Sequence, residues 1–211
     1  MDHLLKHIHA THTVFICCCL LFARCTEQRK QNLPIFGEKE ITDKDTIYHT
    51  IGNFTLVNQD SNVVTDETLE GKIYIADFFF TSCRTICPIM KTQMMRVYEK
   101  VLDDPEVLIV SHTIDPEYDT VGLLHDYADR LGVKTNKWLF LTGNKDSIYY
   151  LAQTSYFATA MEDESEPDGF IHSGAFLLID KEGRIRGKYD GTKEEEVNNL
   201  LRDIKVLKRE G

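Results

Sequence analysis

Cys83 and Cys87 stand four residues apart in the segment TSCRTICPIM. As thiolates, both are soft metal donors and nucleophiles. At this spacing two sulfurs can share one side of a helical turn. Two chemistries follow. The pair can hold copper(I), or zinc if two further ligands arrive. Alternatively, one thiolate attacks a partner disulfide and the other resolves the mixed disulfide. Three residues intervene, one more than in a Cys-X-X-Cys redox motif. That spacing favours metal capture and leaves exchange open. The plainest alternative is two inert thiols in a core. Arg84 and a following helix N-terminus would both favour thiolate.

The elements around the pair can be read from the pattern. Residues 72–80, KIYIADFFF, are a near-continuous apolar run that predicts a strand buried on both faces. A helix is expected from about 88 to 102, with Pro88 tolerated in its first turn. Before them, residues 53–58 and 62–65 predict a β-hairpin turning at Gln59-Asp60-Ser61. After them come a strand at 107–114, a helix at 120–131 stopped by Gly132, a strand at 138–143 and a helix at 145–153. AFLLID and RIRGKYD then flank Lys181-Glu182-Gly183 as a hairpin, and a charged helix from 193 to about 208 closes the chain. This order predicts an α/β thioredoxin-like fold, a mixed central sheet flanked by helices with an extra N-terminal β-hairpin.

In such a fold the loop ahead of the late hairpin packs against the cysteine turn. His172, in DGFIHSGAFLLID, is thereby brought near Cys83 and Cys87 from more than eighty residues away. Asp77 lies inside the apolar strand, six residues before Cys83, where a bare carboxylate is costly. Thioredoxins carry a buried acid at a similar offset that exchanges protons with the thiols. Asp77 is either such a group, with a raised pKa, or hydrogen-bonded within the sheet. Asp115, in HTIDPEYDT, either approaches the cysteine turn to support a ligand or forms the turn before Pro116. His112 falls within a strand and reads as a satisfied core histidine, and His49 and His125 read as surface residues. The acidic loop 161–169 reads as a solvated excursion.

A net charge of −10 with no basic stripe excludes nucleic acid as a partner. Four of the six cysteines lie in the first 25 residues, so no disulfide framework spans the fold. Residues 13–23, TVFICCCLLFA, are too few to span a bilayer, which takes about 20 residues as a helix. Their length suits the apolar part of an export signal. Cys25 follows at once, as in a bacterial lipoprotein signal, although Arg24 and Phe22 depart from that pattern. Residues 1–25 are therefore expected to be a signal or anchor, with lipid at Cys25 or an uncleaved apolar segment. Residues 26–48 read as a tether and 49–211 as the domain.

The segments DFFFTSCRTICPIM, HTIDPEYDT and IHSGAFLLIDKEGRI resemble, in order, three signature blocks of the SCO/SenC family. The likeness covers roughly residues 49–207. It implies copper held by Cys83, Cys87 and His172, as Cu(I) on grounds of softness with Cu(II) open. It also implies delivery of that copper to the binuclear copper site of a respiratory cytochrome oxidase subunit, or reduction of that site's cysteines. An exported, membrane-anchored protein facing the periplasm would fit both. Arg84 stands where proline is common in the family.

Overall fold

The computed structural model describes residues 32–210, which form one compact unit beginning at Asn32. The expected export segment, with Cys17 to Cys19 and Cys25, lies outside the described residues. Among the described residues no helix is long and apolar enough to cross a membrane.

In chain order the elements are β1 (Lys39–Ile41), β2 (Thr46–Tyr48), β3 (Thr55–Asn58), β4 (Val63–Thr65), α1 (Asp66–Leu69), β5 (Ile73–Phe79) and α2 (Cys87–Val101). They continue with β6 (Val107–Thr113), α3 (Val121–Leu131), β7 (Trp138–Thr142) and α4 (Lys145–Tyr150), which widens into a π-helical turn at Leu151–Ser155. The last are β8 (Ala160–Glu162), β9 (Phe170–His172), β10 (Ala175–Ile179), β11 (Ile185–Asp190) and α5 (Glu194–Glu210). Seven strands make one mixed sheet in the order β11-β10-β5-β6-β7-β3-β4. Its centre, β5-β6-β7, is parallel, and β10 and β3 join it antiparallel on either side. This is the thioredoxin-like architecture the element order predicts.

All seven residues of β5 are buried, Asp77 included, as its near-continuous apolar pattern predicts for a central strand. On α2 the buried residues are Cys87, Met90, Met94, Val97, Tyr98 and Val101, spaced to form one helical stripe. On α5 the stripe is Val197, Leu200, Ile204 and Leu207. The expected front hairpin forms as β3–β4 and extends the main sheet beyond β7.

Two features differ from the sequence reading. Residues 32–48 are not all tether. Phe36 donates its N–H to the Ile185 carbonyl at 2.9 Å, Arg186 donates to the carbonyls of Leu33 and Pro34, and β1 pairs with β2. Main-chain hydrogen bonds hold this stretch, so no apolar periodicity announces it. The helix expected to run on to 153 ends as an α-helix at Tyr150 and finishes as the π-turn.

Candidate metal centre

The strand β5 delivers the chain to the cysteine turn, and α2 carries it away. Cys83 lies in the turn, its N–H on the Phe80 carbonyl, and Cys87 opens α2 one residue earlier than Pro88 suggests. No side chain caps this helix start. Pro88 has no N–H and those of Ile89 and Met90 go to the Ile86 carbonyl, which leaves the Cys87 N–H for the Cys83 sulfur.

His172 ends β9 on a separate two-stranded sheet, paired with Ala160 of β8. Its Nε2 lies 3.3 Å from Cys87 Sγ and 3.9 Å from Cys83 Sγ. The ring stands edge-on to Phe80, centroids 5.7 Å apart. The two sulfurs and one imidazole nitrogen all lie within 4.8 Å of one another. Its other nitrogen, Nδ1, is buried with no partner among the described residues. Both cysteines are free thiols.

The electrostatics of the pair are asymmetric. A hydrogen bond from the Cys87 sulfhydryl holds the Cys83 thiol down at about 3, helped by His172, the Thr85 hydroxyl and the Cys87 N–H, and opposed by burial. The same bond, then burial and the negative charges of Cys83 and Asp77, push the Cys87 thiol far up. At neutral pH the two sulfurs therefore share one proton.

Asp77 is 5% exposed and accepts a hydrogen bond from Ser111 on β6. It lines the same small cavity as Cys87, about 20 Å³, room for one water. Burial pushes its carboxyl from an ordinary 3.8 up to about 6, against the pull of the Ser111 bond. Because the folded value is the higher one, the native state keeps its proton over that window while the unfolded chain loses it. This group's contribution is fully present below about pH 4 and stability falls as pH rises through 6, by about 3 kcal/mol in all. Asp77→Asn, which keeps an acceptor for Ser111, is expected to raise the unfolding free energy at pH 7.5 by about 1–3 kcal/mol and to flatten this slope. Urea melts of the copper-free protein at stepped pH measure both, and an unaltered slope would assign the pH dependence elsewhere.

Asp115 stays in the turn after β6, where its carbonyl accepts from the N–H groups of Tyr118 and Asp119. Its side chain makes no hydrogen bond to the cysteine turn among the described residues. One carboxylate that does so is Asp119, four residues on. Fully buried, it accepts from the Thr81 N–H at 3.1 Å and from the hydroxyls of Thr81 and Thr113. It thus fastens the end of β6 to the first residue of the cysteine turn. A buried acid inside a polar TIDPEYD block carries no periodic signal, and only the long-range pairing shows it.

His112 is fully buried, stacked on Phe78 at 5.0 Å, with Tyr156 5.3 Å away. Burial lowers its pKa to about 4, so it stays neutral. Only Nδ1 is engaged, with the Asp77 carbonyl at 3.4 Å, and Nε2 has no partner among the described residues. It is a core residue, though half satisfied. His49 is half-buried rather than at the surface, its Nε2 2.8 Å from the Ser155 carbonyl. His125 is exposed, beside Asp60 and Asp129.

The sheet order and the two cysteines at the start of α2, met by a late histidine, define a thioredoxin-like domain with a three-donor cluster. Comparison with known proteins narrows this class. The family model described as SCO1/SenC matches residues 42–208, and the chain belongs to that family. Among solved structures, a SCO1/SenC family lipoprotein from Bacillus anthracis is 28% identical with a TM-score of 0.70, over 76% of this chain and 95% of its own. BsSco, a member of the Sco family of cytochrome c oxidase assembly proteins in which a disulfide switch has been identified, is 32% identical with a TM-score of 0.67, over 75% of this chain and 93% of its own. ScoI of Arabidopsis thaliana, solved with copper bound, is 29% identical with a TM-score of 0.63, over 76% of this chain and 98% of its own.

Proposed function

We propose that this protein binds copper through Cys83, Cys87 and His172 and delivers it to the binuclear copper site of a respiratory cytochrome c oxidase subunit. The observation that carries the reading is the convergence of two sulfurs and one imidazole nitrogen within 4.8 Å. Two thiolates and an imidazole form a soft, low-coordination donor set suited to Cu(I). Among the described residues no fourth His, Cys, Asp or Glu joins the cluster. An incoming donor from the acceptor protein can therefore take an open position, and the ion passes over through shared ligands. The copper in the Arabidopsis relative and the oxidase-assembly role of the Sco family named for BsSco support this reading. Attachment to the membrane, by lipid on Cys25 or by the uncleaved apolar segment of residues 1–25, with the domain facing the periplasm, belongs to the same proposal. The lipoprotein relative supports it.

A second reading has its own observation. The shared proton leaves Cys83 a thiolate with Cys87 as resolving thiol, the arrangement a thiol–disulfide oxidoreductase acting on partner cysteines needs. The two readings differ at His172, which exchange does not require.

The test uses the reduced full chain with Cys17→Ser, Cys18→Ser, Cys19→Ser and Cys25→Ser. It is titrated anaerobically with copper(I) against a competing chelator. One equivalent is expected to bind, and His172→Ala to weaken it by at least ~10-fold. Weak uptake indifferent to His172, with an easily reduced Cys83–Cys87 disulfide, would favour the oxidoreductase.

A further inference from the structure

We propose that Asp168 is a positioning residue for the cluster. Its carboxylate clasps the main chain of the cysteine turn at Arg84 and so holds the β8–β9 hairpin, and His172 with it, over the two sulfurs. This rests on the reading of Cys83, Cys87 and His172 as copper ligands.

His172 needs such a device because of where it sits. Its strand has three residues and, among the described residues, pairs only with β8, which is equally short. A lone hairpin of this size has marginal stability in water. The β8 side is tied to the α4 region by Gln153, which donates to the Ala160 carbonyl at 2.9 Å, and by the Lys145–Glu162 ion pair. The β9 side carries the ligand and, among the described residues, has two further ties to the cysteine turn besides His172 itself. One is the packing of Phe170 on Phe80, centroids 5.0 Å apart. The other is Asp168.

Asp168 Oδ2 accepts the Arg84 N–H at 3.0 Å. Gly169, at φ +80°, then turns the chain directly into β9. The carboxylate is therefore four residues along the chain from the imidazole it positions. The Arg84 guanidinium also approaches, Nε to Oδ1 at 3.5 Å, but that side chain is 85% exposed whereas that of Asp168 is 7% exposed. Water and salt screen the ion pair, and the main-chain bond, whose acceptor side chain is the sheltered partner, is left as the working contact.

Two substitutions separate these parts. Arg84→Ala keeps the N–H and removes the guanidinium, and Asp168→Ala removes the acceptor. In the copper(I) titration Asp168→Ala is expected to weaken binding about 10-fold, and Arg84→Ala by less than about threefold. Asp168→Asn, which retains an acceptor oxygen, should recover part of the loss. In a His172→Ala background Asp168→Ala should cost nothing further, because there is no imidazole left to position. Independent losses in that cycle would overturn the proposal. Amide exchange of residues 169–172 in the copper-free protein gives a reading that does not depend on copper. It should quicken in Asp168→Ala and not in Arg84→Ala. Exchange unchanged by Asp168→Ala would refute the clasp even if copper binds as proposed. Faster exchange without copper uptake would instead retain the clasp and sink the copper reading.

Discussion

The full chain carrying Cys83→Ser with Cys87→Ser, in addition to the four N-terminal substitutions, is expected to take up no copper(I) at the cluster. The loss should go well beyond the 10–100-fold that follows removal of a ligand's hydrogen-bond partner, since both soft donors disappear. A serine hydroxyl is hard and stays protonated, and one imidazole cannot hold Cu(I) against a chelator. The asymmetry of the thiols adds a second readout. Cys83 is already a thiolate at neutral pH, whereas Cys87 keeps its proton until the ion displaces it. Copper binding to the unsubstituted pair should thus release about one proton from the thiols rather than two. Affinity should fall as pH falls, because the ion then competes with the Cys87 proton. Calorimetry in buffers of different ionisation enthalpy counts the protons. A count near two would show that the pair does not share one.

Arg186→Ala should destabilise the fold by about 3–5 kcal/mol, the range for breaking a buried ion pair from one side. Arg186 and Asp180 have side chains 5% and 3% exposed, and Arg186 Nη1 donates to Asp180 Oδ2 at 3.0 Å. The guanidinium also reaches Glu210 at the end of α5 and the carbonyls of Leu33 and Pro34. One side chain therefore joins β11, the last helix and the first described residues. Asp180 keeps Arg184 and the turn N–H groups of Glu182 and Arg184 after the substitution, which points to the lower end of the range. Urea unfolding measures the loss, and amide exchange should show Phe36 opening early. A loss below about 1 kcal/mol would mean that water replaces the guanidinium at no great cost.

The central strands and both long helices were legible because their burial is written in periodicity. KIYIADFFF could be little else than a strand covered on both faces, and the α2 stripe of Met90, Met94 and Val97 repeats at helical spacing. The cluster was legible through side-chain type and topology together. Cys83 and Cys87 mark their own turn, but His172 joins them only because the hairpin leading to β10 folds back over that turn. What escaped the sequence depends on partners distant along the chain. Asp119 becomes a strut only once β5 and β6 lie side by side. Residues 32–36 look like solvated linker until the β11 carbonyls and Arg186 are there to bind them. The Asp168 bond uses a main-chain N–H, which no side-chain pattern encodes.

The first described residues also fix a direction. Asn32 shares a small cavity with Ile73, at the start of β5, whereas the cysteine turn follows Phe79 at the other end of that strand. Seven residues of extended chain put the two about 20 Å apart. The polypeptide thus enters the domain at one pole and displays its donor cluster at the opposite one. There the two cysteines are buried and His172 is half-buried, so a molecule that meets the donors does so at the end of β5 opposite the start of the described chain.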